Sequence, residues 1–457
     1  MAGIGFRLQR LLEEGSYSST FRAYLYAAAI GSGPLVLSVA SLALLGAAIR
    51  PFGGTANDLF FAAVTATYSA SMILASAVQV VTVRKSADAD YIGQRQAVWP
   101  VLERGLGVVV PAHLIAGCAF YFWGIEAPPL FRAGGVFLSV MVGAMWLLAG
   151  LLSGLKNYRA VAASFAAGYV ASFAGGWAGF RLAGEGGLMA GFALGHAVLV
   201  IALLACIRRE LPGGRVDPLL AEGSLEGYRL LAIGGMVYSA GIWADKYLFW
   251  YLGEGRLHVN GVLYAMPLHD QAVYLGFLSI IPGMAVFLLR FETEFATHYA
   301  EFFRRVTGRA PLAAIEESRA AMVGAVWGEI LQIVKYQGGF TLVLILTADR
   351  VMPVLGLGAL QTGVFQIILV GSFLLVVFLS FLTVLYYLDE QLSALVACVV
   401  FAATNAGVTA LTIFSGAQWF GLGYVAACAA GLAVASKFAD DHLRTLTWET
   451  FCRQPLV

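Results

Sequence analysis

The chain has 457 residues, 60% of them hydrophobic and only 12% charged, with a formal net charge of +1. A soluble domain does not sustain that ratio; apolar runs long enough to cross a bilayer recur along the whole sequence, which makes this a polytopic membrane protein. Basic runs never exceed two residues, which excludes a nucleic-acid binder.

Residues 1–22 are a short charged lead. The first apolar run, Ala23 to Ile49, is too long for the core of a cleavable signal and lacks a small-residue exit site, so it is expected to stay as a span. Twelve spans follow the lead, at approximately 23–49, 58–83, 105–123, 134–152, 160–181, 188–207, 228–252, 262–289, 331–348, 359–388, 392–414 and 418–437. An even number puts both termini on one side. Of the 28 lysines and arginines, 22 then fall on the side of the termini, five (Arg50, Arg132, Arg181, Arg256 and Arg350) on the other, and one, Lys246, inside a span. Positive charge collects on the cytoplasmic side, so both termini are expected there. The expected fold is all-α, with twelve transmembrane helices in two six-helix bundles around a central cavity. The bundles cover 23–207 and 228–437, joined by a polar, Pro/Gly-punctuated linker at 208–227 and followed by a cytoplasmic tail at 438–457. Both halves open alike, with Ala29-Ile30-Gly31 and Ala232-Ile233-Gly234 each following an arginine, as in a parallel repeat.

Two spans carry breakers. Gly31-Ser32-Gly33-Pro34 interrupts the first and Pro282-Gly283 the eighth. Proline removes a backbone hydrogen bond and glycine lowers the cost of bending, so Gly31, Gly33, Pro34, Pro282 and Gly283 are candidates for a gate, or for a static kink.

The seventh span is the anomaly. It carries Asp245 and Lys246 well inside its apolar run. Counted from Leu252, Asp245 lies about 10 Å deep at 1.5 Å per residue. A charge there costs about 2.5–3.5 kcal/mol on insertion scales and by default marks a functional site facing a hydrated cavity. Adjacent helical residues point about 100° apart, so each charge is expected to need another partner. Asp270, in Pro267-Leu268-His269-Asp270 at the head of the eighth span, is a candidate for Lys246 if that helix starts near Val262. If Pro267 is instead the first helical residue, Asp270 sits at a favourable helix N-terminus. Two readings stand: a structural ion pair, or a path for a polar substrate lined by Asp245, Lys246 and Asp270 with the aromatics Trp243, Tyr247 and Tyr274. Trp250 and Tyr251 read as interfacial anchors. His113 and His196, alone in apolar spans, read as satisfied core residues.

Between 290 and 335 the chain is helical in pattern but too polar to span. Phe291, Phe295, Tyr299, Phe302 and Val306 form one face of an expected interfacial amphipathic helix, ended by Gly308 and Pro311, before a second helix enters the ninth span. With 84–104 it offers the largest inner polar surface, and Arg304 and Arg305 are candidates for docking a cytoplasmic partner. The five cysteines form no CxxC, no metal-ligand spacing appears, and there is no nucleotide-binding or catalytic motif; an enzyme, a metal and a cofactor are all unexpected.

The opening MAGIGFRLQRLL with YLYAAAIGSGPLVLS, the stretch GIWADKYLFW, and HDQAVYLGFLSIIPGMAVFLLRFETEFATHY resemble the PelG family of exopolysaccharide transport proteins, end to end. That family is similar in turn to the multidrug, oligosaccharidyl-lipid and polysaccharide exporter superfamily. The resemblance implies a place in the bacterial inner membrane and a cargo of polymer rich in N-acetylgalactosamine and galactosamine. It also implies a cytosolic glycosyltransferase as partner and companion membrane proteins, one of them a cyclic di-GMP receptor. Asp245, Lys246 and Asp270 fall in the shared motifs, whereas His269 stands where an aromatic is expected. A flippase for a lipid-linked oligosaccharide and a scaffold that moves nothing are the competing readings. Lys246 as the single clear intramembrane cation argues against a pyrophosphate-lipid cargo.

Overall fold

The computed structural model describes residues 17–53, 56–211 and 226–452; the sequence readings for the lead up to residue 16, most of the 208–227 linker and the last five residues lie outside the described residues. Helices make up nearly all of it. In chain order they are α1 (Tyr17–Gly31), α2 (Gly33–Gly53), α3 (Ala56–Tyr91), α4 (Val98–Cys118), α5 (Pro129–Gly154), α6 (Tyr158–Glu210), α7 (Arg229–Leu252), α8 (Pro267–Leu278), α9 (Ile281–Val286), α10 (Ala296–Thr307), α11 (Leu312–Val354), α12 (Ala359–Tyr387), α13 (Gln391–Ile413) and α14 (Leu422–Cys452).

Ten helical stretches among the described residues are long and apolar enough to cross a membrane. Two further crossings bring this to the expected twelve. The 53-residue α6 reverses direction at Ala183 (φ −142°) and Gly184 (φ 58°, ψ −139°), so it is a hairpin of two antiparallel arms, matching the expected spans 160–181 and 188–207. Gly175 and Gly179 of one arm lie on Gly191 and Gly187 of the other. A Cβ at Gly179 would stand 2.0 Å from the carbonyl oxygen of Gly187, and one at Gly191 would stand 1.9 Å from that of Gly175. Without a hydrophobic drive between helices in lipid, such small-residue faces let backbones approach and gain dispersion contact. The other addition is α7, whose 24 residues run about 36 Å at 1.5 Å each; its charges, not its length, keep it from qualifying by composition.

Two compact units emerge: Gly33–Pro267, and α1 together with everything from Leu268 onward. The first helix thus packs with the C-terminal helices and α7 with the N-terminal ones, whereas the expected bundles at 23–207 and 228–437 group these two helices the other way. The reason is local. Tyr228, just ahead of α7, donates to Asp88 of α3 at 2.9 Å, and Tyr247 of α7 shares a 2.9 Å hydrogen bond with Ser69 of α3. The α1 residue Tyr24 accepts from Arg290 at 3.2 Å and lies 5.7 Å from the ring of Tyr336.

In the unit Gly33–Pro267, Leu45, Phe60, Leu138, Leu147, Phe192 and Leu199 form the core. Inside it, Tyr68 bonds to His196 Nε2 and to the Tyr169 hydroxyl (2.9 Å), while His196 Nδ1 meets Ser172 Oγ at 3.1 Å. His113 Nδ1 reaches the Val109 carbonyl at 2.7 Å. Both histidines are fully buried and hydrogen-bonded, as read from the sequence. Between α7 and α8 lies a small antiparallel hairpin, β1 (Leu257–Asn260) with β2 (Leu263–Ala265). This corrects the expected helical start at 262; the eighth crossing begins at Pro267. The hairpin is clamped by the Asn260 amide, which accepts from the Glu126 N–H and donates to the Glu126 carbonyl, both at 2.8 Å.

In the other unit the eighth crossing is broken. Helix α8 ends at Leu278 and α9 starts at Ile281, with Pro282 in its first turn. Gln337 of α11 splints the break: its amide donates to the Ser279 carbonyl and accepts from the Gly283 N–H, both at 2.8 Å. A π-helical stretch, Phe287–Phe295, then leads into α10. The expected interfacial helix is corrected here. Phe291, Phe295 and Phe302 are fully buried in protein rather than turned to lipid, with Phe295 edge-on to Tyr387 at 5.1 Å and Tyr299 donating to the Tyr387 carbonyl at 3.0 Å. An apolar stripe of this width satisfies itself on neighbouring helices when they are within reach. Gly308 and Pro311 do end α10, and α11 runs from Leu312 through the ninth span. The segment after 437 continues as helix α14 to Cys452, held by Arg319, which donates to the carbonyls of Leu443 and Arg444 at 3.2 Å.

Candidate functional site

Asp245 and Lys246 are enclosed by protein, at 1% and 4% exposure. Contrary to the helical-wheel expectation, they pair with each other: Lys246 Nζ lies 3.6 Å from Asp245 Oδ1. The lysine's flexible stem lets the ammonium fold back across the angle that separates the two Cα–Cβ bonds. It lies 3.4 Å from the Ile242 carbonyl, to which it donates, and 5.0 Å from the centroid of the Trp243 ring, whose π face attracts a cation. Trp243 and Tyr247 both pack on Trp250, at 6.4 and 5.3 Å between centroids. Trp250 is therefore buried, at 6% exposure, and not an interfacial anchor; Tyr251 is exposed, and its hydroxyl donates to the Val262 carbonyl at 3.2 Å. The Trp243 Nε1–H is buried without a hydrogen-bond acceptor.

Asp270 lies in the other unit, in the first turn of α8, where the helix dipole favours a carboxylate. That is the second of the two placements weighed from the sequence. Its neighbour His269 is fully buried and presents Nδ1 3.7 Å from Asp270 Oδ1. Lys246 and Asp270 thus fall in different units, each with an oppositely charged or titratable neighbour in its own. Tyr274, one turn further along α8, is 38% exposed. Helix breaks do occur at the two breaker motifs: α1 gives way to α2 at Ser32, between Gly31 and Gly33–Pro34, and α8 to α9 just before Pro282 and Gly283. The two docking candidates differ. Arg304 is 75% exposed and among the described residues pairs locally with Glu301, whereas Arg305 ties the α10–α11 turn together through Glu301 (2.7 Å), Glu317 (3.2 Å) and the Ala314 carbonyl (2.7 Å).

Two charged clusters escaped the sequence reading. The first joins Arg290 to Glu294 (3.8 Å), Glu329 (3.9 Å) and Tyr24. A signal for it exists. On α11 the buried positions Ile315, Ser318, Met322, Val326, Glu329, Ile333, Gln337 and Thr341 follow helical spacing, so Glu329 is a carboxylate on an apolar stripe. The second is Glu390, His442 and Glu449, which bring ligand atoms within 4.8 Å of one another and are a possible metal set by distance. Opposite ring nitrogens face the two acids, Nε2 to Glu390 at 3.4 Å and Nδ1 to Glu449 at 3.2 Å, and Ser393 Oγ also meets Nε2 at 3.1 Å. As arranged, the imidazole is a polar clamp between α14 and the start of α13. His442 lies 52 positions after Glu390, so no spacing motif announces it.

The fold has clear relatives. A MATE transporter in the bent conformation superimposes with a TM-score of 0.62 at 11% identity, over 93% of this chain and 96% of that one. The MATE transporter ClbM, solved with Rb+, gives 0.59 at 10% identity over 93% and 96%. A superfamily transporter from Pyrococcus furiosus, described as having a binding pocket of reversed polarity, gives 0.56 at 12% identity over 92% and 96%. No curated protein sequence matches. The chain therefore has the fold of the multidrug and polysaccharide exporter superfamily, a multi-pass membrane transporter fold and not that of an enzyme. Within that class its sequence matches the PelG exopolysaccharide exporter (EPS-E) family over residues 1–451, and the chain belongs to that family.

Proposed function

We propose that this exporter moves the Pel polymer, rich in N-acetylgalactosamine and galactosamine, across the bacterial inner membrane while a cytosolic glycosyltransferase extends it. Both termini face the cytoplasm in this reading, companion proteins including a cyclic di-GMP receptor complete the complex, and the two repeats keep the 23–207 and 228–437 boundaries with their first helices exchanged. Asp245, Lys246, Trp243 and Tyr247 are the substrate-path residues of one unit, and Asp270 and Tyr274 those of the other. The breaks at Gly31, Gly33 and Pro34 and at Pro282 and Gly283 are the gating points, and Arg304 is the residue offered to the glycosyltransferase.

The observation that supports this reading best is the buried Asp245–Lys246 pair inside a crossing helix of an exporter-family chain. A passive scaffold has no use for charges whose insertion costs about 2.5–3.5 kcal/mol each. The test is the charge-neutral double variant Asp245→Asn/Lys246→Met, scored for protein level and for secreted polymer in cells lacking the native protein. Normal protein with secretion abolished supports the path. Normal secretion makes the pair purely structural. Accumulation of a lipid-linked oligosaccharide in place of polymer would replace the cargo with that of a flippase. Reporter fusions at Val457 and near Arg256 should give opposite signals; a periplasmic signal at Val457 overturns the orientation.

A further inference from the structure

The Arg290 cluster has an unequal charge count, and this holds whatever the cargo. Arg290 lies in the π-helical stretch Phe287–Phe295, a distortion that recurs at functional sites. Its guanidinium faces two carboxylates, Glu294 from the same stretch and Glu329 from α11, at 3.8 and 3.9 Å, and its Nε donates to the Tyr24 hydroxyl of α1 at 3.2 Å. The Glu329 side chain is 5% exposed, and its Oε2 is buried with no hydrogen-bond donor. Both carboxylates approach the same guanidinium nitrogen, Arg290 Nη1, one through Glu294 Oε1 and the other through Glu329 Oε1. Among the described residues, Glu294 and Arg290 are the charged groups beside Glu329, and Tyr24, with Tyr336 against its ring, lies beside the guanidinium. Glu329 is the buried member and Glu294 the partly wet one, and with a single guanidinium between them the second negative charge on buried Glu329 has no countercharge of its own, which favours holding a proton there.

We propose that Glu294 and Glu329 form a proton-binding site, holding one exchangeable proton between them with Arg290 as the countercharge. With the proton in place, one carboxyl is neutral and donates to the other, which accounts for the buried oxygen. Once the proton leaves, the pair carries two negative charges against a single guanidinium, and the bond from Arg290 to Tyr24 competes with both. Helix α1 carries Tyr24, so the state of the proton is felt by that helix through the Arg290 bond. The site is therefore placed to couple proton uptake to the position of α1.

Infrared difference spectroscopy of the full chain in lipid nanodiscs, across a pH titration, tests this. One protonated-carboxyl band should titrate in the unaltered protein and shift in heavy water. Glu294→Gln and Glu329→Gln should each abolish that band, and the double variant should remove no more than either alone. Glu301→Gln, a half-buried α10 carboxylate paired with Arg304 and Arg305, should leave it intact. Should Glu329→Gln fail to fold, Glu294→Gln gives the same reading, since that side chain is 44% exposed and its loss leaves Glu329 paired with Arg290. Retention of the band in Glu294→Gln, or loss of two separate bands in the double variant, overturns a shared proton. Displacement of the band by sodium at constant pH makes this a site for a monovalent cation and overturns the proposal as well.

Discussion

Two charge clusters, one in each compact unit and each with a buried member, solve the same problem differently. Asp245 and Lys246 balance: one acid, one base, both at most 4% exposed, with the ammonium also over the Trp243 ring. Among the described residues, Arg290, Glu294 and Glu329 do not balance, since two acids face one base, and water reaches part of the cluster: the Arg290 side chain is 29% exposed and Glu294 44%. A balanced dry pair has no inexpensive way to lose a member. An unbalanced, partly wet cluster can adjust by taking or releasing a proton, so it tolerates change and can respond to it. The difference separates a fixed feature of the crossing helices from one that can switch.

The largest effect is expected at the balanced pair. Lys246→Met alone leaves Asp245 buried and uncompensated, which should cost about 3–5 kcal/mol and remove most folded protein from the membrane, as read by protein level and by thermal melting in detergent. Asp245→Asn added to it should restore most of that level, because no charge is then stranded. If Lys246→Met melts like the parent, the pair is hydrated and the two clusters do not differ in this way.

Arg290→Met should do less, about 1–2 kcal/mol, even though it leaves two carboxylates behind. Glu294 can turn to water and Glu329 can take the proton, so melting should fall most at high pH, where that proton is lost, and least at low pH. A loss that is independent of pH would remove the distinction between the clusters.

Glu329→Gln should be smaller still, within about 0.5 kcal/mol of the parent or slightly stabilising, since it replaces a buried excess charge by a neutral amide of the same shape. A loss as large as that of Lys246→Met would mean that Glu329 is ionised and needed as such. The smallest effect on stability belongs to Arg304→Glu. Its side chain is 75% exposed and its pairing is local, so melting should stay within about 0.5 kcal/mol. Co-purification with the glycosyltransferase should nevertheless weaken if this surface docks it. Arg305 is unsuited to that test, because its bonds to Glu317 and the Ala314 carbonyl hold the α10–α11 turn.

Much of this protein is legible in the order of its residues. The positions of the crossings, the breaks at Ser32 and before Pro282, the end of α10 at Gly308 and Pro311, and the buried histidines all follow from runs, breakers and isolated polar residues. These are properties of short stretches, fixed by the cost of exposing backbone or charge to hydrocarbon, and that cost is paid locally. Pairings between distant segments are a different matter. Nothing near Gly175 and Gly179 says that they will lie on Gly191 and Gly187, and nothing near Gln337 says that it will splint a helix broken at Ser279. The aromatic face of 291–306 carries the pattern of a membrane-surface helix, and only the nearby Tyr387 and α11 turn it inward. The same holds for Asp245 and Lys246: their depth is written in the sequence, but whether they find each other depends on how a flexible side chain is confined by its neighbours. Sequence by itself determined which groups must be buried and where the chain must bend. Tertiary structure alone decided what those groups meet, because a contact between residues far apart in the chain is set by packing and leaves no periodic trace in either segment.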